Sequence, residues 1–208
     1  DKNSLTGAIT YLDQNGKVED TANWDITVNE TAVNGVNYKD ILGDGALCYD
    51  IEEKTLKLKD GKSFEGALTI TAPEDVSIDL EADARNVVNG DLTVNGAKDV
   101  KVTKPAGGNA AAAIEGKAEI TCSGDVILEN WGGSRGDGRN LITNGLTVHR
   151  ANMVTTEGGI SGETMIDCIG DIKLGNEHGT TVSKLTVKSA NNVTVTSGSV
   201  NRSIGQDG

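Results

Sequence analysis

Aromatic residues are scarce in this sequence, making up 3% of 208 residues with two tryptophans and one phenylalanine. A core must therefore be built from the small aliphatic side chains of Val, Ile, Leu and Ala, which favours thin, regular layers. The length allows one ordinary domain, two small domains or one elongated unit, and is sufficient to bury a proper core.

Positive charge is also in short supply. The chain has 19 Lys and Arg against 31 Asp and Glu, a formal net charge of −12, which disfavours nucleic acid and anionic lipid as partners. No apolar run reaches 18 residues, so no membrane insertion is predicted. The first residues lack the basic and apolar regions of a signal peptide, so we expect that any secretion signal has been removed.

Cysteine is rare and irregularly placed. Cys48, Cys122 and Cys168 show no CxxC or histidine-rich spacing, so neither a zinc site nor a dense disulfide framework is supported. The odd number says little about the compartment. No cofactor is predicted.

What the sequence does contain is a repeat. Units begin at residues 68, 92, 118, 146, 164 and 185. Two positions after each start lie Ile70, Val94, Ile120, Val148, Ile166 and Val187, and eight after lie Val76, Val100, Val126, Val154, Ile172 and Val193. Ten after lie Ile78, Val102, Leu128, Thr156, Leu174 and Val195. Only Thr156 interrupts this last aliphatic column.

A third element precedes most starts, with Val88, Ile114, Ile142 and Ile160 four residues earlier and Val182 three earlier. Each unit thus reads as three short strands that alternate in and out and are joined by turns at Gly or Asn. Such units become stable by stacking. We predict an all-β fold, a right-handed parallel β-helix (β-solenoid) with three short strands per coil. The rival fold, an up-and-down barrel, does not explain three strand types in fixed order.

Length variation is confined to one interval of the repeat. It holds "DLEADARN", "TKPAGGNAAAA", "ENWGGSRGDGRN" and "EGG" at residues 79–86, 103–113, 129–140 and 157–159. Loops on successive coils would lie side by side and form a composite surface. Residues 1–66 fit the repeat less well and are expected to form irregular first coils or an N-terminal cap. Residues 67–208 are expected to be regular coils, truncated at the C-terminal end.

One stretch carries a resemblance. "DILGDGALCYDIEEKTLKLKD", residues 40–60, resembles a module of large secreted proteins of Gram-positive gut bacteria, in which a Leu-Gly-Asp-Gly turn, a Tyr-Asp pair and a Thr-Leu-x-Leu strand introduce β-helical repeats. The matching residues are Leu42, Gly43, Asp44, Gly45, Tyr49, Asp50, Thr55, Leu56 and Leu58. The resemblance implies an extracellular or wall-attached location, and some related domains are described as carbohydrate-binding. No functional residue is carried over.

The most unusual segment is the third loop, which holds Trp131 with Arg135, Asp137 and Arg139 among glycines. An exposed indole can stack on sugar rings, and neighbouring Arg and carboxylate groups can bond hydroxyls or uronic acids. Arg85, in the first loop, is placed with them as a candidate ligand-binding residue. Alternatively, Trp131 anchors the loop. Residues 135–137 also spell the Arg-Gly-Asp tripeptide that integrins recognise, a weak motif.

Two outward columns could carry chemistry. His149 and Asp167 would be neighbours on consecutive coils, either as an acid-base pair or as an ordinary charge pair. Seven after each start lie Asp75, Asp99, Asp125, Met153, Asp171 and Asn192, which could hold Ca²⁺ or, as we favour, bond their own turns.

A third column concerns the cysteines. Cys122 and Cys168 share a position two coils apart with Arg150 between them, ~9.6 Å at the usual strand spacing, so they are predicted to be reduced.

These observations favour a noncatalytic extracellular or cell-surface module, part of a longer surface protein, that binds polysaccharide, a host surface glycan or a host protein. A β-helical polysaccharide lyase or glycoside hydrolase is the alternative, although no paired carboxylates are evident and no catalytic residue is assigned. The leading hypothesis includes an adhesin stalk, and a plain spacer within a longer surface protein is the third hypothesis.

Overall fold

The computed structural model describes residues 11–12, 18–20, 23–83, 85–106, 111–131, 140–175 and 182–196. Within these ranges the chain is all-β, and none of it forms a helix of the length and hydropathy needed to cross a membrane. The strands are β1 (Tyr11–Leu12), β2 (Val18–Asp20), β3 (Asn23–Val28), β4 (Thr31–Asn34), β5 (Leu47–Asp50), β6 (Thr55–Leu58), β7 (Phe64–Glu65), β8 (Leu68–Ala72), β9 (Ser77–Glu81), β10 (Val88–Asn89), β11 (Leu92–Gly96), β12 (Val100–Lys104), β13 (Ala118–Thr121), β14 (Asp125–Asn130), β15 (Asn140–Ile142), β16 (Leu146–Ala151), β17 (Met153–Glu157), β18 (Gly159–Cys168), β19 (Ile172–Leu174), β20 (Val182–Ser189) and β21 (Val193–Val195).

Most strands belong to two long sheets. The first has the order β4-β3-β8-β11-β13-β16-β18-β15, with β20 also paired to β18, and the second has the order β5-β6-β9-β12-β14-β17-β19-β21. From β8 onward every pairing in both sheets is parallel. Parallel neighbours need a crossover connection, and here the other sheet supplies it. This arrangement is compatible with a β-solenoid.

The predicted unit starts lie opposite one another. Leu68, Leu92, Ala118, Leu146, Thr164 and Leu185 form one continuous ladder through the first sheet. In β11, the buried residues Leu92 and Val94 alternate with Thr93, which is partly exposed, and Asn95, which is exposed. The period-two pattern therefore identified the inward face of this sheet correctly.

The second sheet confirms the members of both predicted columns from β12 onward but corrects the members that come from β9. Val100, Val126, Val154, Ile172 and Val193 pair in series as predicted. However, Val100 also pairs with Ile78 and not with Val76, and Val102 pairs with Leu80 and not with Ile78, so both predicted members from this strand are wrong by two residues. The reason is a longer turn between β8 and β9, which contains Pro73. Val76 is nevertheless buried.

A third, shorter ladder connects the residues that precede the unit starts. Phe64, Val88, Ile114, Ile142, Ile160 and Val182 are paired in series, including the one-residue slip at Val182. Two residues after Val88 of this ladder, glycine is required, because a Cβ at Gly90 would lie 2.6 Å from the carbonyl carbon of Gly66. A Cβ at Gly116 would lie equally close, 2.6 Å, to that of Gly90.

Residues 23–58 pair differently. β3 is antiparallel to both β4 and β8, and β5 is antiparallel to β6, which then joins β9 in parallel. These strands cover the first parallel strand of each long sheet. The aromatic residues gather here, with the ring of Trp24 5.9 Å from Tyr38 and 5.2 Å from Tyr49, centroid to centroid.

The core is aliphatic, as the composition predicted. Its members are chiefly Ile, Val, Leu and Ala of the three ladders, most of them fully buried. At the other end of the ladders the inward residues are more accessible: Val193 is 45% exposed, and β19 is the one strand paired with β21 among the residues that the structure describes.

Candidate functional site

The described parts of the loops of variable length follow one another along the second long sheet. We use the name loop corner for the residues of these intervals that the structure describes: 79–83, 85–86, 103–106, 111–113, 129–131, 140 and 157–159. Glu81 pairs with Thr103, and Lys104 pairs with Asn130. The amide of Trp131 donates to the carbonyl of Lys104 at 2.7 Å, so the ladder continues one residue into the loop. Trp131 therefore lies beside Pro105.

Buried polar side chains hold the loop corner together. Lys104 is 0% exposed, and its ammonium donates to the carbonyls of Arg85 at 2.6 Å and Ala111 at 2.8 Å. The amide of Asn130 donates to the carbonyls of Ala111 and Asn140 at 3.1 and 2.7 Å. Backbone carbonyls of the loops thus receive donors from within the core, as buried acceptors require.

A third buried polar side chain also donates to a loop carbonyl. Asn86 donates to the carbonyl of Ala112 at 2.7 Å. Sequence reasoning missed all three side chains, although a signal exists for two of them. Lys104 and Asn130 each stand twelve residues after a unit start, which by the period-two pattern is an inward position.

Burial also changes the chemistry of Lys104. Desolvation lowers the pKa of its ammonium below the usual value, because burial disfavours the charged form. Its charge faces the interior, so this lysine offers nothing to a ligand in solvent.

An open groove runs beside these loops. It has a volume of about 320 Å³ and is lined by Leu58, Gly61, Glu81, Asp83 and Pro105. Both carboxylates are exposed, whereas the leucine and proline are half-buried. Two partly buried apolar residues and two exposed acidic residues therefore contribute to the lining of this groove. Leu58 and Gly61 come from residues that fit the repeat poorly, so the sequence did not indicate them.

Trp131 is half-buried. It is therefore neither the fully exposed ring expected of a sugar-stacking residue nor the fully buried ring expected of a loop anchor. Its indole N–H points to Oε2 of Glu129 at 3.5 Å, and the hydroxyl of Thr103 lies 3.5 Å from the same oxygen. A tryptophan with part of its ring accessible and a carboxylate beside it can both stack on a sugar and orient it.

The other predicted ligand-binding residues have different outcomes. Arg85 is exposed and belongs to the same corner as Trp131. Lys104 connects the two residues: its ammonium donates to the backbone carbonyl of Arg85, and its own backbone carbonyl accepts the amide of Trp131. Arg135, Asp137 and Arg139, and with them the Arg-Gly-Asp tripeptide, lie outside the described residues.

His149 and Asp167 form neither the acid-base pair nor the ordinary charge pair that the sequence suggested. Pairing between β16 and β18 is irregular after Val148, and no hydrogen bond or ion pair between His149 and Asp167 occurs in the described part of the chain. Asp167 instead accepts a hydrogen bond from the hydroxyl of Ser189 at 2.6 Å.

The aspartate column bonds forward along the stack. Oδ1 of Asp99 accepts the amide of Asp125 at 2.9 Å, which is in the following unit and not in its own turn as predicted. Asp75 is out of the column and pairs with Lys54 at 2.6 Å. Among the described residues no three His, Cys, Asp or Glu side chains are grouped so that they could hold a metal.

The three cysteines are free thiols. Cys168 pairs with Ala151, so the predicted spacer between Cys122 and Cys168, Arg150, is wrong. Arg150 has a φ of 58° and lies in the irregular segment, exposed, with its guanidinium 3.5 Å from Glu74. Burial raises the pKa of Cys122 to about 12, which makes it a poor nucleophile.

The Leu-Gly-Asp-Gly segment makes turns. Gly43 and Gly45 have φ of 74° and 72°, and Oδ1 of Asp44 accepts the amide of Ala46 at 2.8 Å. Asp50 accepts the amides of the next turn, and these hydrogen bonds lower its pKa. Each of these residues therefore has a structural task.

No protein-family model, no curated protein and no solved structure significantly matches the chain. The similarity of residues 40–60 to the surface-protein module thus remains a prediction from the sequence.

Proposed function

We propose that this chain is a noncatalytic, extracellular β-helix module that binds carbohydrate at the loop corner. The single observation that carries the proposal is the partly exposed Trp131 at the loop corner, where Pro105 also lines an open groove of about 320 Å³. Carbohydrate recognition commonly needs such a flat apolar face next to hydrogen-bonding groups.

The scaffold in this proposal is a right-handed coil with three short strands per turn. Support comes from the three ladders that begin at Phe64, Leu68 and Ile78, which recur in this order through the later units. A stacked scaffold of this kind would hold the described residues of the loop corner in a fixed order, because they continue β9, β12 and β14 of the second long sheet.

The location and partners form part of the same proposal. The composition, with a net charge of −12, suits a soluble surface exposed to polysaccharide more than one that binds nucleic acid. We place the module in a longer secreted or wall-attached protein, on the strength of the resemblance in residues 40–60.

The test is binding of the whole chain to a panel of plant, mucin and bacterial-wall glycans, with Trp131→Ala measured in parallel. We expect at least a tenfold loss of affinity, about 1.4 kcal/mol. Ile169→Ala is the matched control, because Ile169 is 74% exposed away from the corner. Trp131→Phe, which retains a flat ring, should restore part of the affinity.

Three results would oppose the proposal. Binding that is insensitive to Trp131→Ala would place the site elsewhere. An absence of binding to every glycan would leave the stalk or spacer role. Release of reducing ends or unsaturated uronates from the panel would favour the lyase or hydrolase alternative.

A further inference from the structure

The two long sheets end in open strand edges at β20 and β21. Within the described residues, β20 pairs with β18 and β21 pairs with β19, so each of the two last strands has a partner along one edge. The strands on which they stack have partners along both edges. An open edge presents a row of backbone N–H and C=O groups to which another strand can bind.

The inward side chains of these two strands are incompletely covered. Val193 is 45% exposed, whereas Ile172, its partner in β19, is 0% exposed. The other inward residues of the last strands are also partly exposed: Leu185, Val187 and Val195. Their partners on the preceding strands are fully buried: Thr164, Ile166 and Leu174. The open edge therefore exposes the same apolar interior that each earlier pair of strands covers.

The opposite end of the ladders is closed. There the antiparallel strands β4 and β5 form the edges of the two sheets. Their large apolar residues, Val33, Leu47 and Tyr49, are at most 4% exposed. Head-to-tail stacking of two copies would thus place the open edge on a face whose large apolar residues are already buried.

A second copy of the open edge matches it in both hydrophobicity and charge. It supplies four inward aliphatic residues, whereas residues 197–208, which follow β21, contain two, Val200 and Ile204. Neither β20 nor β21 contains Asp or Glu, although the chain has a net charge of −12. Lys184 on β20 is paired with Glu163 at 3.0 Å. Electrostatic repulsion between two copies is therefore weakest when they meet at this end.

We infer that this chain forms a two-fold symmetric dimer in which the open edges of β20 and β21 meet those of a second copy. Because each copy contributes the same face, the contact is isologous and closed. Inward residues stay on the inward side only if strand direction reverses across the contact, so the new pairing is antiparallel. The fold already contains such a junction, since β3 is antiparallel to β8 at the other end.

The dimer carries a loop corner on each copy, and one polymer could bind both at a gain in avidity. The contact itself does not depend on carbohydrate binding, so failure of the proposed function leaves it unaffected.

The test is sedimentation velocity of the whole chain over about a hundredfold range of concentration, with Val193→Lys and Val36→Lys measured in parallel. Val193→Lys introduces a charge into the contact twice, once from each copy, and should weaken dimerisation by about tenfold or more. Val36→Lys is the matched control, because Val36 is 61% exposed in the turn after β4 at the closed end. Its effect should stay below about twofold.

A second measurement needs no variant. Amide hydrogen exchange of β20 and β21 should slow in the wild-type protein as its concentration rises, because the dimer protects these edges. Far-UV circular dichroism verifies that both variants remain folded, and the exchange result decides the matter if Val193→Lys does not fold.

The remaining outcomes would overturn the inference. A monomer at every concentration would leave the open edge to another segment or another protein. A dimer that is insensitive to Val193→Lys, with unchanged exchange in β20 and β21, would place the contact elsewhere. An open-ended series of larger masses, or equal weakening by Val36→Lys, would show head-to-tail stacking in place of two-fold symmetry.

Discussion

Thr156→Val should make the protein more stable. Thr156 is 0% exposed in the ladder between Leu128 and Leu174, and its Oγ1 is without a hydrogen-bond partner in the described structure. A buried, unpaired hydroxyl costs about 1–3 kcal/mol, and valine replaces it with a methyl group of nearly the same shape. We therefore expect the free energy of unfolding to rise by about 1–2 kcal/mol.

The measurement is urea unfolding followed by far-UV circular dichroism, with both proteins fitted at equal m-values. For a chain of this length the melting temperature should rise by about 2–4 °C per kcal/mol. Thr69→Val is the control, since Thr69 is exposed on β8 and its change should stay within about 0.5 kcal/mol. A midpoint for Thr156→Val that is unchanged or lower would mean that the hydroxyl is satisfied, and would refute the reasoning.

Further predictions concern the loop corner, the glycine column and ionisable groups. Lys104→Met should lower the free energy of unfolding by about 2–3 kcal/mol, because two loop carbonyls lose a charged donor, whereas Lys101→Met on the outer face should cost under about 0.5 kcal/mol in the same urea assay. Gly90→Ala should cost about 3 kcal/mol or more by thermal unfolding, because its Cβ would meet backbone at 2.6 Å. Hydrogen bonds from the side-chain amides of Asn191 and Asn192 lower the pKa of Asp171, so the folded state binds this proton less readily than the unfolded state. The resulting stabilisation is complete above the usual pKa of 3.8 and is lost as the pH falls through the folded-state pKa. Asp171→Asn should therefore reduce the acid-induced fall of the urea midpoint. The Cys122 thiol should react with a disulfide reagent at pH 8 only after unfolding, and rapid reaction in the native protein would contradict its burial.

Most of the strand pairing could be predicted because β-branched residues recur where each unit stacks on the next. The misplacement of β9 arose because the turn that contains Pro73 is two residues longer than its counterparts. A change of two residues leaves the in-and-out alternation of the strand unchanged, so the alternation could not reveal it. Val76 and Ile78 are both aliphatic and buried, so hydrophobicity alone could not decide which of them pairs with Val100.

The candidate site was predicted less completely. Trp131 was found by its rarity, but the groove beside it depends on Leu58 and Gly61, which belong to residues without a clear repeat. Lys104 was overlooked because a lysine is ordinarily solvent-exposed, and only the loop carbonyls that surround it explain its burial. Both the groove and the burial of Lys104 depend on contacts between segments that are far apart in sequence, which a pattern of single residues does not reveal.

The order of strands in the second long sheet has a mechanical consequence. There the strand order follows the chain order, from β5 at one end to β21 at the other. Tension that pulls these two strands apart acts along the interstrand hydrogen bonds and breaks them one strand pair at a time, without shearing the whole sheet at once. Under load the described strands should detach stepwise, one unit per event, while the units that remain stacked keep their pairing.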